Sequence, residues 1–341
     1  MRGELDRFLA SGWYRIGPTL MTCKCLVFSG VLRSSLWTRL VLTDFTFRKG
    51  LRKLMAQNAR RYRVTVGPFT IDAEREALYR RYKTIVDGER SPSLRDFLFG
   101  DTTSEAFDTR ELAVWDGDKL VAFAWFDEGL ESIQSLIGVY EPSLKKHSLG
   151  FYSMLIEIEY GIQTGKKYHY SGYVLPGDPS MDYKLRVGEL EFLDQDQRRW
   201  RPWSDVDDYA LPTTRLEQAL EAVTESLTRL RIKSEVRAYP WFDAGVYNPA
   251  LARCIDQPLV LESRPLMAQP LIVTWDLETT EYRLCRCVRA VAIIPGDDED
   301  DSASRRPDLL VVTEHLAAAE TPDEIAQELA VAAGRPLYNR R

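Results

Sequence analysis

Apolar residues recur along this chain at two spacings, and the points where one spacing gives way to the other delimit its elements. Leu5, Phe8 and Leu9 predict a short amphipathic helix that ends near Gly12. Strand-like runs follow at Leu26–Phe28 and Trp37–Leu42. Arg48–Arg61 reads as a basic helix with Leu51, Leu54 and Met55 on one face. A strand at Arg63–Val66 closes at Gly67-Pro68. Asp72–Val86 predicts a helix whose apolar side is Ala77, Leu78, Tyr82 and Ile85, and Ser91-Pro92 opens a short helical piece through Phe99. Leu112–Trp115 and Leu120–Phe126 flank the hairpin turn Asp116-Gly117-Asp118, and a second turn at Glu128-Gly129 leads into Ile133–Tyr140. After a loop at Glu141–His147, Ser148 is the expected N-cap of a helix over Leu149–Gln163. Gly165 stops that helix, and Lys167–Val174 is the next strand.

Beyond Trp203 the pattern predicts a helix over Thr213–Ile232 and strands at Leu271–Trp275 and Tyr282–Ile294. An acidic connection from Asp297 to Pro307 then precedes a short strand at Leu309–Val312 and a helix over Asp323–Ala333 capped by Thr321. Three regions follow: a basic N-terminal region (1–70), a central mixed α/β domain (71–203) and a C-terminal α/β extension (204–341).

Charge sharpens this division. Met1–Lys83 carries 17 Lys/Arg against 6 Asp/Glu, whereas the whole chain has a net charge of −6. A basic arm on an acidic body suits a polyanionic partner, with tRNA, other nucleic acid and a membrane as candidates. Five cysteines form no disulfide framework, so a reducing cytoplasm is expected. Cys23-Lys-Cys25 and Cys285-Arg-Cys287 are read as buried, inert thiols rather than a metal site. Arg15 and Lys24 interrupt the only apolar N-terminal stretch, and no run of eighteen apolar residues predicts a membrane span.

Tyr170-Ser-Gly-Tyr173 and the break at Pro176-Gly177 deliver Tyr183, Lys184 and Arg186 just past a strand, where a rigid scaffold presents chemistry. Three antiparallel strands, a loop, a helix and a strand are also the core order of the GNAT acyltransferase fold. The residues resemble something narrower. Tyr140-Glu-Pro, Ser148-Leu-Gly150, Tyr170-x-Gly-Tyr173-x-x-Pro and Met181-x-Tyr-Lys184 are similar, in that order, to the aminoacyl-tRNA–protein transferases of the N-degron pathway. Gly12-Trp13-x-Arg15-x-Gly17 and Phe47-Arg-Lys-x-x-Arg-Lys-x-x-x-x-Asn58 match the family's N-terminal part. The resemblance spans roughly Leu9–Trp203. The chain departs from the family in keeping only Cys23 and Cys25 of its Cys-rich opening, which argues against a cluster. Ser180-Met181 stands where Lys-Met is common, and Gly188 where proline is usual.

The resemblance implies transfer of an amino acid, with arginine favoured and leucine the other donor, from charged tRNA to the N-terminal amine of a protein starting with Asp or Glu. The ester is already activated, so no cofactor, metal or covalent enzyme intermediate is needed. Tyr173, Lys184, Ser148 and His147 are the candidate catalytic residues. Arg186, Tyr183, Tyr170, Lys145 and Lys146 are candidates for holding substrate, and Arg48, Lys49, Arg52, Lys53 and Asn58 for the tRNA side. Two other readings fit the same scaffold: an acetyl-CoA-dependent N-acyltransferase, and a non-catalytic RNA- or protein-binding module.

Overall fold

A computed structural model describes residues 2–86, 90–102, 106–263, 269–291 and 308–334. The acidic segment 297–307 and the end of the expected strand at 292–294 lie outside them. The chain opens with α1 (Arg2–Ala10), the hairpin β1 (Tyr14–Ile16) and β2 (Thr19–Met21), and the hairpin β3 (Cys25–Phe28) and β4 (Val31–Ser34). β5 (Leu36–Val41), α2 (Lys49–Ala59), β6 (Arg63–Pro68), α3 (Ala73–Lys83) and α4 (Leu94–Phe99) follow. The middle of the chain holds β7 (Thr109–Asp116), β8 (Lys119–Glu128), β9 (Ser132–Tyr140), a 3-10 helix (Pro142–His147), α5 (Leu149–Gln163) and β10 (Tyr168–Val174). β11 (Glu191–Asp194) and β12 (Arg199–Pro202) precede α6 (Pro212–Arg229), β13 (Glu235–Ala238) and α7 (Ala244–Tyr247). β14 (Leu259–Ser263), β15 (Leu271–Trp275), β16 (Tyr282–Val291), β17 (Asp308–Ala319) and α8 (Pro322–Ala332) complete it.

These elements form two compact units. One is Met1–Lys24 with Ser35–Val206, the other Cys25–Ser34 with Asp207–Arg341. In the first, the described strands make a mixed sheet in the order β12-β11-β5-β10-β9-β8-β7-β6. β8 lies inside it, and every residue from Leu120 to Glu128 is buried, as a strand covered on both faces requires. Leu149 and Tyr152 of α5 pack on Ala122, Ala124 and Phe126 from one side. Leu78 and Tyr79 of α3, with Leu94 and Leu98 of α4, pack on Phe123 and Trp125 from the other. The order predicted from the pattern, three antiparallel strands, a loop, a helix and a strand, is observed, and the last strand pairs parallel to β9 in a GNAT-like arrangement.

In the second unit the sheet runs β13-β14-β15-β16-β17. Leu216, Leu220, Val223 and Leu227 of α6 and Ile325 and Leu329 of α8 cover one face, with Cys25 of the β3–β4 hairpin in the same cluster. Tyr239 and Ile255 close over the other face at Ile272, Cys285 and Cys287.

Three expectations change. Ser148 occupies the N-cap of α5 but in the left-handed region (φ 51°), and its hydroxyl makes no capping bond. The 3-10 helix ends on it, with its N–H donating to Lys145 O at 3.0 Å, while its own carbonyl starts α5. That double duty excludes the extended conformation from which a serine side chain caps. The short final strand is instead the long β17; its polar Thr313, Glu314 and His315 are exposed on a sheet edge, which hid it from the apolar pattern. β13 and β14 lay unread between longer elements.

Candidate active site

The site is built where β9 and β10 separate. Their parallel ladder runs only from Ser132↔Tyr168 to Gln134↔Tyr170. β9 continues along β8 to Tyr140, whereas β10 follows β5 through a bulge between His169 and Gly172. Gly172 permits this turn with a φ of +85°, and a Cβ there would stand 3.5 Å from Lys184 Nζ. The first turn of α5 fills the mouth of the gap. Gly150 gives room there, since a Cβ would press on the Tyr140 ring at 3.1 Å.

Lys184 is the central group. It is 8% exposed, and its Nζ donates to the Tyr173 carbonyl at 2.7 Å and lies 5.3 Å from the Tyr173 ring centre. No carboxylate among the described residues comes within ion-pair distance of it. Burial lowers its pKa from 10.5 to about 8. The folded chain therefore binds fewer protons than the unfolded chain between about pH 8 and 10.5, so stability rises with pH across that window. The gain is about 3 kcal/mol. Urea titrations at pH 8 and 10.5 are expected to show this rise in the native chain and to lack it in Lys184→Met.

The Tyr173 ring lies beside the amine, and further aromatic contacts extend from Tyr173 and from the neighbouring Tyr183. Phe151 of α5 meets the Tyr183 ring edge-on at 6.4 Å, and the Arg186 guanidinium lies over it at 4.8 Å. Tyr173 packs with Trp37 and Tyr14 at 6.0 and 5.8 Å, and Tyr140 with Tyr82 at 5.3 Å. Burial raises the Tyr173 phenol, so it stays neutral and can donate a hydrogen bond, and Arg90 acts in the opposite direction on both Tyr82 and Tyr173. Glu157, a buried carboxylate of α5, is taken by His169 at 3.2 Å.

Tyr183 and Arg186 thus meet at Phe151, and Lys184 meets Tyr173. A second group lies along the start of α5. Lys145, Lys146 and Ser148 are exposed on the approach to the helix N-terminus. Asn58 is buried, and its amide donates to the His147 carbonyl at 3.0 Å, tying α2 to that loop. The His147 ring meets Tyr62 edge-on at 5.7 Å, and its buried Nε2 has no partner among the described residues. Its recorded contacts are with Tyr62 and Asn58 rather than Tyr173 or Lys184. Leu51 anchors α2 to Phe151 and Leu155, which leaves Arg48, Lys49, Arg52 and Lys53 exposed. Arg61, by contrast, is paired with Asp116.

Tyr170 lies elsewhere. It is 1% exposed beneath Leu5 and Leu9 with its ring on Trp200, so its surroundings are those of a core residue. Ser180 closes a turn, its N–H donating to Asp178 Oδ1 at 2.9 Å. Sequence reasoning missed Tyr82, Tyr140 and Arg90 as neighbours of the site. Tyr82 read as the apolar side of a helix, and no local signal singles out Arg90.

Comparison with known proteins gives this arrangement a class. Residues 74–194 match the family model described as arginine-tRNA-protein transferase, C terminus. A protein named aspartate/glutamate leucyltransferase from Leptospira interrogans (serovar Lai) is 27% identical over 210 residues, covering 60% of this chain and 79% of the relative. Proteins of the same name from Helicobacter hepaticus and Acinetobacter baumannii (strain AYE) are 25% and 28% identical, covering 54% and 58% of this chain and 77% and 70% of the relatives. Among solved structures, a GCN5-related N-acetyltransferase from Kribbella flavida is 17% identical and covers 50% of this chain and 54% of its own, at a TM-score of 0.25. A lysylphosphatidylglycerol synthetase C-terminal domain from Agrobacterium fabrum is 13% identical and covers 41% and 47%, at a TM-score of 0.33. Scores this low add nothing to the topology described above.

The protein is a transferase. The chain is similar to the aminoacyl-tRNA–protein transferase family, with the family match lying in its central domain. Among the described residues no helix is long and apolar enough to cross a membrane.

Proposed function

We propose that the chain moves an amino acid from the 3′ end of a charged tRNA to the N-terminal amine of a protein that begins with Asp or Glu. The observation that carries this reading is Lys184, a buried ammonium without a counter-charge among the described residues, which an incoming side-chain carboxylate would neutralise. Tyr173, beside it and neutral, would donate to the oxyanion that forms at the ester carbonyl. The acceptor amine needs to lose a proton as it attacks, and bulk water can accept it.

The donor side chain is proposed to be leucine rather than the arginine that the sequence favours. The groups gathered at the cleft are aromatic or cationic, and Glu157 is engaged by His169. A guanidinium would sit near Lys184 and Arg90, whereas an apolar side chain meets Phe151 and the tyrosines at no electrostatic cost. The leucyltransferase name of the relatives agrees with this. The N-terminus of α5, with Lys145 and Lys146 on its approach, suits a phosphate of the tRNA end.

Single-turnover transfer of labelled leucine from tRNA to a peptide starting with Asp tests the reading: label should move to the peptide, and label retained on tRNA overturns it. The exposed cations of α2 give a separate expectation. Neutralising Arg48, Lys49, Arg52 and Lys53 together should reduce the slope of log affinity for tRNA against log salt by about 3. Filter binding from low to moderate salt measures it, and an unchanged slope removes α2 from the interface.

A further inference from the structure

The C-terminal extension contains a pocket of its own. It has a volume of about 400 Å³ and is lined by Cys285, His315, Arg253, Asp256, Thr274 and Arg283 among others. Its floor is the face of the sheet that α6 and α8 leave uncovered, and its roof is the segment that joins the edge of β17 at Cys254↔Val311.

The sheet register is locally altered at this point. β16 and β17 pair Leu284 with Ala317, then Cys285 with His315, Arg286 with Glu314, and Cys287 with Val312. Leu316 and Thr313 are the extra residues of two bulges on β17, each of which shifts the register by one residue, and the register between them holds for two pairs. Without the first bulge, the residue opposite Cys285 would be Leu316. Both pairs that the shift creates are chemically matched. Cys285 Sγ lies 3.3 Å from His315 Nδ1, and Arg286 Nε lies 3.2 Å from Glu314 Oε2. Bulges re-aim side chains in this way beside reactive centres.

We propose that this pocket is a second reactive site, in which Cys285 is a nucleophile for small activated acyl esters and His315 is its general base. Among the described residues, Cys285 is the one thiol of Cys254, Cys285 and Cys287 recorded at hydrogen-bond distance from an imidazole. Burial pushes its thiol up to about 11, so at neutral pH it attacks only if a base takes its proton, and His315 Nδ1 occupies that place. In the step, the Sγ–H proton passes to His315 and sulfur bonds to the carbonyl carbon. The carbon–oxygen bond of the ester then breaks, and the departing alcohol takes the proton from His315. The product is a Cys285 thioester, which water cleaves to a carboxylic acid and the free thiol. The pocket is of a size for a small ligand, and Arg253 and Asp256 at its rim offer charges of both signs. This site is independent of the transfer centre built on Lys184.

The test uses the full chain with 4-nitrophenyl acetate. The native protein is expected to release a burst of 4-nitrophenolate and to carry a hydroxylamine-labile acetyl group on Cys285, located by peptide mass mapping. His315→Gln, on an exposed residue and with circular dichroism to show that the fold is kept, should slow that acylation by at least about a hundredfold. Cys285→Ala should remove the labile acetyl group. Native protein without a labile acetyl group on Cys285, or an unchanged rate in folded His315→Gln, overturns the proposal.

Discussion

Replacing Lys184 with methionine is expected to cut transfer onto a peptide starting with Asp or Glu by at least about a hundredfold while leaving the melting temperature unchanged or raised. In the free protein the ammonium is desolvated and has one recorded hydrogen bond, to the Tyr173 carbonyl, so burial is a cost with little return. Methionine keeps the length and removes the charge. With the acceptor bound the balance reverses, because removing one partner of a buried charge pair costs about 2–5 kcal/mol. Arg186 should matter less. It is exposed over Phe151, where water screens its charge, so Arg186→Gln is expected to weaken transfer only severalfold. Steady-state transfer and thermal unfolding measured on the same samples separate the two effects. Loss of both together would assign Lys184 to the fold.

Arg15→Met should produce the largest loss of stability, about 3–5 kcal/mol and a melting temperature lower by roughly 10 °C. Arg15 belongs to the N-terminal motif Gly12-Trp13-x-Arg15-x-Gly17, and its environment is structural. Its Nη1 donates to Asp127 at 2.9 Å and to Thr109 at 2.8 Å, and its Nη2 to the Leu98 carbonyl at 3.1 Å. The ring of Phe107 lies 4.3 Å from the guanidinium. Asp127 is 0% exposed, and burial raises its pKa even with Arg15 alongside. Methionine would strand that carboxylate in the core. The double variant Arg15→Met/Asp127→Leu should recover much of the loss, since an apolar pair of similar volume removes both desolvated charges. Calorimetry of the native chain and the two variants decides it: an Arg15→Met variant that melts with the native chain would exclude the buried pair as a determinant of the fold.

The first unit was legible where the signal is local. Strict apolar spacing located α5 and the β7–β9 meander, and Asp116-Gly117-Asp118 fixed their turn. Positions that depend on distant partners were not legible. The bulge at His169–Gly172, which parts β10 from β9, follows from pairing with β5 more than a hundred residues earlier. Tyr170 and Tyr173 look alike in sequence, yet that bulge leaves one beneath α1 and the other beside Lys184. The burial of Lys184 was hidden for the same reason, because a lysine after a Pro-Gly break reads as an exposed loop residue. The register shift opposite Cys285 is likewise set by the partner strand rather than by its own sequence.

The central claim is that a buried cation reads the acceptor's carboxylate. The most direct measurement compares transfer onto two peptides that differ only in starting with Asp or Asn, which have the same shape and differ in charge. The native chain is expected to favour the Asp peptide by at least about a hundredfold. Equal rates on the two peptides would contradict the account.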